Sequence, residues 1–401
     1  MKLRYDSYKS SGIDWIGDIP SHWELLRMRF LCDMITGDKD TVNKVDDGEY
    51  PFYVRSPQIE RINSYSFDGE AVLMAGDGVG AGKVVHYANG KFDFHQRVYN
   101  FHNFKGIKGI LLYYYLKTLF KYKIEEGGAK NTVDSVRQPW LKDFPICVPP
   151  LAEQEVIAAW LDEKCGEIDA AISKVDRELE LMDELKQSEI SRVVTRGLNP
   201  DAPLRPSGID WIGEVPEHWG KCRFKNFIFL KSDPSFSNAK VGLENIESNS
   251  GKFIDTDTEY EGNGIAFGLN DILYGKLRPY LRKVWLAEFE GNAVGDFFVF
   301  SNLPNSSIKY IKYLLLSDGF TKEVDGSTYG AKMPRVASDF ILNLHYFLPP
   351  LSEQQAIADY LDKKCAEIDG LKGKLVKKRE TLKELRQAII SEVVTGKRKV
   401  I

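Results

Sequence analysis

PPLAEQEVIAAWLDEKCGEID, from Pro149 to Asp169, returns as PPLSEQQAIADYLDKKCAEID, from Pro349 to Asp369, with fourteen of twenty-one positions identical. A second phrase repeats at nearly the same offset: SGIDWIGDIPSHW, from Ser11 to Trp23, comes back as SGIDWIGEVPEHW, from Ser207 to Trp219, with ten of thirteen letters unchanged. The offsets are 200 and 196 residues, so the chain reads as two copies of one unit, each ordered as Trp phrase, long middle segment and helix.

After each Pro-Pro the sequence turns strongly helical. No proline interrupts Leu151 to Arg196, and Gly197 followed by Pro200 closes the stretch. Ile168, Ile172, Val175, Leu179 and Met182 step alternately by four and three, the a/d stripe of a coiled coil; Ile368, Leu371, Leu375, Leu382, Leu385 and Ile389 make a similar stripe in the second copy, interrupted by Lys378. The first helix carries twelve acids against six bases, while Leu351 to Gly396 carries eight against nine, a balance that favours pairing one with the other. At ~1.5 Å per residue each spans roughly 70 Å, a spacer's length. The pattern predicts two long antiparallel helices forming a coiled coil; the alternative is that each helix caps its own domain. On the first helix, Leu185 is expected to face inward, leaving Glu184 and Lys186 on a solvated face.

The fold class expected is α+β: two similar mixed α/β domains separated by the helix pair, with an internal pseudo-twofold repeat. The boundaries fall at residues 1–150, 151–197, 198–350 and 351–401. Length supports more than one core. Both middles alternate short apolar runs with glycine turns, as in FDGEAVLMAGDGVGAGKVVHYANGKFDF and DILYGKLRPYLRKVWLAEFEGNAVGDFFVF, and then turn helical. They share little else beyond an echo of Gly128-Ala129-Lys130 in Gly330-Ala331-Lys332. Five cysteines without a CxxC pair indicate neither a disulfide framework nor a zinc ribbon, and fit a reducing cytoplasm. No signal peptide or membrane span is read from the sequence.

Catalytic and cofactor patterns fare poorly. Gly76-Asp77-Gly78-Val79-Gly80-Ala81 fits G-x-G-x-x-[GA], but a strand, not a helix, is expected to follow it, so a tight turn is the better reading. The same loop misses the ATP-binding P-loop ahead of Gly82-Lys83. The six histidines lack metal-ligand spacing, and no nucleophile stands beside a base. No catalytic or metal residue is assigned.

Several stretches have the chemistry of a DNA surface. Tyr274, Lys276, Arg278, Tyr280, Arg282 and Lys283 lie in a ten-residue run with four cations and no acid; a basic edge strand is the competing reading. Lys83, and Gln96 with Arg97, which suit guanine and adenine edges, are candidates in the first copy. Lys130 with Asn131, and Lys332 with Arg335, sit in the glycine-rich loops after the shorter helices. The net charge of −4 argues against a uniformly basic binder, and the two middles, Glu24 to Val148 and Gly220 to Leu348, count to +1 and 0.

Together SGIDWIG[DE][IV]P[SE]HW and PPL[AS]EQ-x-x-I-A-x-[WY]LD, with GSTYGAKMPR at 326–335, make the chain resemble the specificity subunit of a type I restriction-modification system over essentially its whole length. The resemblance implies two target recognition domains that each read half of a bipartite, asymmetric site on double-stranded DNA, and helices that set the unread gap and dock two methylation subunits. S-adenosylmethionine would be supplied by those partners, and ATP and Mg with the restriction subunits; none is expected in this chain, which would be non-catalytic. GGAKN departs from YGAKM, so DNA contacts carry over less securely in the first copy. Two rival classes stay open: a bivalent protein- or carbohydrate-binding module, and a nuclease or methyltransferase whose site is assembled only in space.

Overall fold

The computed structural model describes residues 3–126, 135–235, 237–330 and 332–400. They fall into two compact units, 1–175 with 377–401, and 176–376. This division cuts both long helices in their middles, whereas the sequence reading placed boundaries at their ends.

In the first unit the Trp phrase links two short antiparallel strands, β1 (Tyr8–Ser10) and β2 (Asp18–Pro20). Gly17, at φ +71°, closes the link by donating its N–H to Ile13 O at 2.8 Å, a backbone conformation that glycine adopts without a Cβ penalty. After β3 (Glu24–Arg27) comes a six-stranded sheet of β4 (Asp33–Thr36), β5 (Tyr50–Tyr53), β6 (Glu60–Ile62), β7 (Phe67–Ala75), β8 (Val85–Phe94) and β9 (Val98–His102), in the order β4-β9-β7-β8-β5-β6. All its pairings are antiparallel except β5 with β8. Strand parity splits β7 between two cores: Val72 and Met74 join Leu111, Leu112, Tyr115 and Leu119 of α1 (Gly109–Glu126), while Ala71 and Leu73 pack with Tyr53, Phe92 and Phe94 on the other face. The chain then passes through α2 (Gln138–Lys142) to β10 (Pro145–Val148), which pairs antiparallel with β3 and leads into the long α3 (Leu151–Arg196).

The second unit repeats this plan with one change. β11 (Leu204–Pro206) leads into the second Trp phrase, β12 (Glu214–Pro216) lies within it and pairs with β11, and β13 (Gly220–Arg223) stands where β3 does. The strands that follow are β14 (Ile228–Lys231), β15 (Pro234–Ser235), β16 (Lys240–Val241), β17 (Gly264–Phe267), β18 (Ile272–Gly275), β19 (Val284–Leu286), β20 (Gly291–Ala293) and β21 (Phe297–Asn302). They form two four-stranded sheets, β14-β21-β18-β19 and β15-β17-β20-β16. The split has a local cause: where β8 runs unbroken for ten residues, Ala287-Glu288-Phe289-Glu290 separates β19 from β20. Helices α4 (Ile308–Leu316), α5 (Asp318–Gly326) and α6 (Ser338–Asn343) precede β22 (His345–Leu348), which pairs with β13 and leads into α7 (Leu351–Val394).

Each unit is completed by parts of both long helices. Ile157, Leu161, Cys165 and Ile168 of α3 share the first unit's core with Ile389, Ile390, Val393 and Val394 of α7; Ile357, Leu361 and Cys365 of α7 share the second unit's core with Ile190, Val193 and Val194 of α3. The Trp phrase joins these pieces. Trp23 donates its indole N–H to Glu153 at 3.1 Å, while Gly396, just past α7, lies against Pro20 and Trp23. In the second unit Trp219 donates to Glu353 at 3.1 Å and Gly197, just past α3, lies against Trp219 and Glu353. His22 and His218 reach the same carboxylates at 2.9 and 2.8 Å. Each glutamate sits in the first turn of its helix, where the dipole favours a negative charge. Next to it a fully buried glutamine, Gln154 or Gln354, donates to Pro149 O or Pro349 O at 2.8 Å.

The stripe on α7 differs from the one expected. Leu371 and Leu385 are 48% and 46% exposed. Strict four-three steps from Ile368 pass instead through Lys372, Leu375, Arg379, Leu382 and Arg386 to Ile389, so cations take the places assigned to leucines. On α3, Ile168 and Val175 are buried while Ile172, Leu179 and Met182 are half-buried, and the next step falls on Lys186. The expected orientation there is reversed: Lys186 is buried and Leu185 is 47% exposed. Lys186 Nζ lies 2.9 Å from Asp369 in the second unit, and Arg386 Nε lies 2.9 Å from Asp169 in the first. Burial raises the pKa of Asp369, but hydrogen bonds from Lys186 and Lys252 outweigh it and hold the carboxyl below its ordinary 3.8. The pair therefore contributes stability above that value and loses it as pH falls through the lower folded pKa.

Gly396 combines φ +72° with a Cβ direction that runs into Pro20, whereas Gly12 has φ +72° and open space. Gly396→Ala should destabilise the protein by about 1–3 kcal/mol more than Gly12→Ala, read from denaturant midpoints. Equal midpoints would mean that Gly396 is not clamped.

Candidate nucleic-acid interface

The candidate residues of the second unit collect where two loops meet. Between β18 and β19 the chain makes a tight 3-10 turn, Pro279–Leu281, with left-handed residues at both ends: Arg278 at φ 51° and Arg282 at φ 48°. The loop between α5 and α6 docks against it. Arg278 N–H donates to Pro334 O at 2.8 Å, Val336 N–H to Lys276 O at 3.1 Å, and Leu277 forms an antiparallel bridge with Arg335. Arg278, Tyr280, Tyr329, Lys332 and Met333 are exposed on this junction. Arg335 makes a two-pronged pair with Asp296 at 2.9 and 3.1 Å, and Lys276 stands 3.9 Å from the same carboxylate and over the Phe298 ring. Asp296 thus holds two cations in place, while the Arg278 and Lys332 side chains have no ion-pair partner among the described residues.

Three residues of the run belong elsewhere. Tyr274 is 2% exposed: on β18 it shares parity with Ile272 and points into the helix-side core among Phe300 and Phe320. Its ring is withdrawn from the surface. Lys283 turns inward and donates to Leu243 O and Ile246 O at 2.6 and 2.8 Å, with its pKa lowered by burial. Arg282 also turns inward, toward Gln187 and Asp318. The competing edge-strand reading fails too, because residues 276–283 form a turn.

The first unit has an equivalent junction. Val136 N–H donates to Gly76 O at 2.8 Å and Asp77 bridges Ser135, matching the Lys276–Val336 and Leu277–Arg335 contacts. The glycine-rich stretch after β7 is a turn, with Gly78 and Gly82 at φ +71° and +64°, and strand β8 follows it. No helix N-terminus is present there to receive a pyrophosphate. Asp77 plays the part of Asp296, with Arg55 at 2.9 Å and Arg97 at 3.6 Å. Lys83 is exposed and has no ion-pair partner among the described residues; Gln96 is exposed and donates to Asp40 at 2.8 Å. Lys130 and Asn131 lie outside the described residues. His95, buried and lowered in pKa chiefly by desolvation, accepts the Arg97 N–H at Nδ1 and so supports the loop that carries Gln96 and Arg97.

Sequence reasoning missed Arg55, Asp77, Asp296 and Tyr329. An isolated acid facing two cations across a loop has no sequence spacing, although Tyr329, 62% exposed, lies inside the GSTYGAKMPR phrase. Among the described residues no group of histidine, cysteine or carboxylate side chains is arranged to hold a metal ion, and no helix is long and apolar enough to cross a membrane. The five cysteines are free. What the junctions offer is exposed, partly pre-ordered guanidinium, ammonium and phenol groups, the donors and stacking surfaces that duplex DNA engages.

Residues 20–180 match the family model for the type I restriction modification DNA specificity domain. The chain is similar to the type I restriction enzyme EcoDI specificity subunit of Escherichia coli, at 25% identity covering 95% of this chain and 89% of that one. The MjaVIII specificity subunit of Methanocaldococcus jannaschii is also 25% identical, covering 95% and 94%. Among solved structures, a chain from a study of complex assembly and conformational transition in the type I R-M system matches with a TM-score of 0.67 at 14% identity, covering 94% of this chain and 98% of that one. The HsdS subunit from Thermoanaerobacter tengcongensis matches with a TM-score of 0.50 at 15% identity, again covering 94% and 98%. These structural likenesses bear on the fold, which is α+β as expected.

Lys332→Ala, which removes an exposed cation that has no ion-pair partner among the described residues, should change unfolding free energy by no more than about 0.5 kcal/mol while weakening duplex DNA binding. Lys283→Met should cost about 1–3 kcal/mol by stranding two carbonyls. Thermal melts paired with DNA titrations check both; a destabilised Lys332→Ala or a neutral Lys283→Met would reverse these assignments.

Proposed function

We propose, from the premise that this chain belongs to the type I restriction-modification DNA specificity subunits, that it recognises a bipartite, asymmetric DNA site through two recognition domains, residues 1–150 and 198–350. The helices at 151–197 and 351–401 set the gap between half-sites and dock two methylation subunits. Those partners bind S-adenosylmethionine and methylate adenine; the restriction subunits bring ATP- and Mg-dependent translocation and cleavage. This chain contributes no catalytic group and carries no cofactor. Its site of action is the cytoplasm.

The single observation that carries this reading is a framework built twice around dissimilar loops. Glu153 and Glu353 receive the same indole and imidazole groups, and Tyr114 and Tyr313 donate to Asp162 and Asp362 at 2.6 and 2.7 Å. The junction loops share backbone contacts and almost no side chains. Two different half-sites call for such a division. Asp14 and Asp210, and Leu151 and Leu351, are identical between copies yet exposed, so core packing does not account for them. A partner that binds twice through equivalent surfaces does. Arg278, Lys332 and Lys83 have no ion-pair partner among the described residues and are available to phosphates and base edges, whereas Arg335, Arg97 and Lys276 are oriented by Asp296 or Asp77.

Co-expression with the cognate methylation subunit, followed by mapping of N6-methyladenine, should give one bipartite motif with a fixed gap. Inserting four helical residues into α3 should lengthen the gap by about 6 Å, or one to two base pairs at ~3.4 Å each, with both half-sites unchanged. Changed half-sites with an unchanged gap would contradict the division of roles. Binding that is insensitive to salt would favour a protein- or carbohydrate-binding module instead.

A further inference from the structure

The turn that exposes Arg278 and Tyr280 is fastened at its two ends by different means. On the Arg278 side the fastening is backbone to backbone, through Pro334 O. On the Arg282 side it is a side chain. The Arg282 guanidinium, 14% exposed, donates to Gln187 Oε1 on α3 at 2.7 Å and pairs with Asp318 at the start of α5. Asp318 is itself tied to α3, its N–H donating to Ser191 Oγ at 3.0 Å. Through one side chain the turn is therefore referenced to the long helix and not merely to its own sheet.

Two features set Arg282 apart from an ordinary stabilising ion pair. Its backbone occupies the left-handed region, which costs an L-residue energy that glycine or asparagine would largely avoid. Its Nε is buried without an acceptor among the described residues, so the side chain leaves one of its own donors unsatisfied there. Both penalties oppose stability. They make sense if the value of the residue lies in where it puts the turn.

We propose that Arg282 is a positioning residue for DNA reading by the second unit. It holds the turn to α3 and α5 so that Arg278 and Tyr280 meet the duplex in one fixed placement. The inference rests on the DNA-recognition reading above. Because Arg282 touches no DNA in this account, its loss blurs base discrimination without removing a phosphate contact.

The test uses the full chain assembled with its methylation subunit. Arg282→Asn keeps a residue that tolerates the left-handed backbone and removes the fastening; Gln187→Leu removes one acceptor on α3 and leaves the turn's sequence untouched. Methylation is measured on a duplex library randomised across both half-sites. Both variants should lose about tenfold or more in discrimination within one half-site, the same one altered by Arg278→Ala. The other half-site and the gap should be preserved, with the maximal rate on the best duplex little changed. Unchanged motifs in both variants, beside an altered motif in Arg278→Ala, would overturn the role of Arg282. So would equal blurring of both half-sites, which marks a general loss of stability. If the unmutated complex shows no bipartite motif, the recognition reading itself falls, and this inference with it.

Discussion

A carboxylate in the first turn of each long helix is the constraint on which the framework depends. Glu153 takes hydrogen bonds from Trp23 and His22, and Glu353 takes them from Trp219 and His218. Both tryptophans are almost fully buried, so their indole donors need partners, and a carboxylate is a strong one. The same indoles lie against the glycine that ends the other long helix, Gly396 or Gly197. One short phrase therefore fixes three separate pieces of chain in each unit: its own strand pair, the start of one helix and the end of the other. This is why the two compact units cut both helices instead of ending with them.

With the ends fixed, the helix pairing inside each unit need not be strongly apolar. Lys186–Asp369 and Arg386–Asp169 occupy matching places, 200 residues apart in both partners, and each puts a charge where a slipped register would leave it unpaired. Apolar residues flank these pairs, and the cores of both units extend onto the helices. The framework is consequently specified by partly buried polar contacts at intervals, which leaves the intervening loops free to differ. β8 runs unbroken while its counterpart splits into β19 and β20, and yet the junctions Gly76–Val136 and Lys276–Val336 make the same backbone bond.

Much of this was legible in the sequence, and the failures have physical reasons. The duplication, the extent of both helices, the α+β class and the turn character of the glycine-rich loop followed from spacing and punctuation. The stripe on α7 departs from the expected one because the four-three progression selects Lys372 and Arg386, not the neighbouring leucines at 371 and 385. Lys186 reads as solvated because its half-buried partner, Asp369, lies far along the chain. Within the basic run, composition does not distinguish strand from turn: Tyr274 still belongs to β18 and follows its parity inward, whereas Arg278 and Tyr280 lie on the turn and face out. The pairing of Asp77 and Asp296 with their cations arises from folding and has no linear signature.

The claim that the Trp phrase clasps the start of one helix to the end of the other is tested most directly by hydrogen exchange of the full chain carrying Glu153→Ala. Faster exchange is expected both in residues 149–168 and in the distant residues 385–396, with 188–197 and 351–368 keeping their protection. Acceleration confined to the neighbourhood of residue 153, or spread evenly over all four segments, would contradict the clasp.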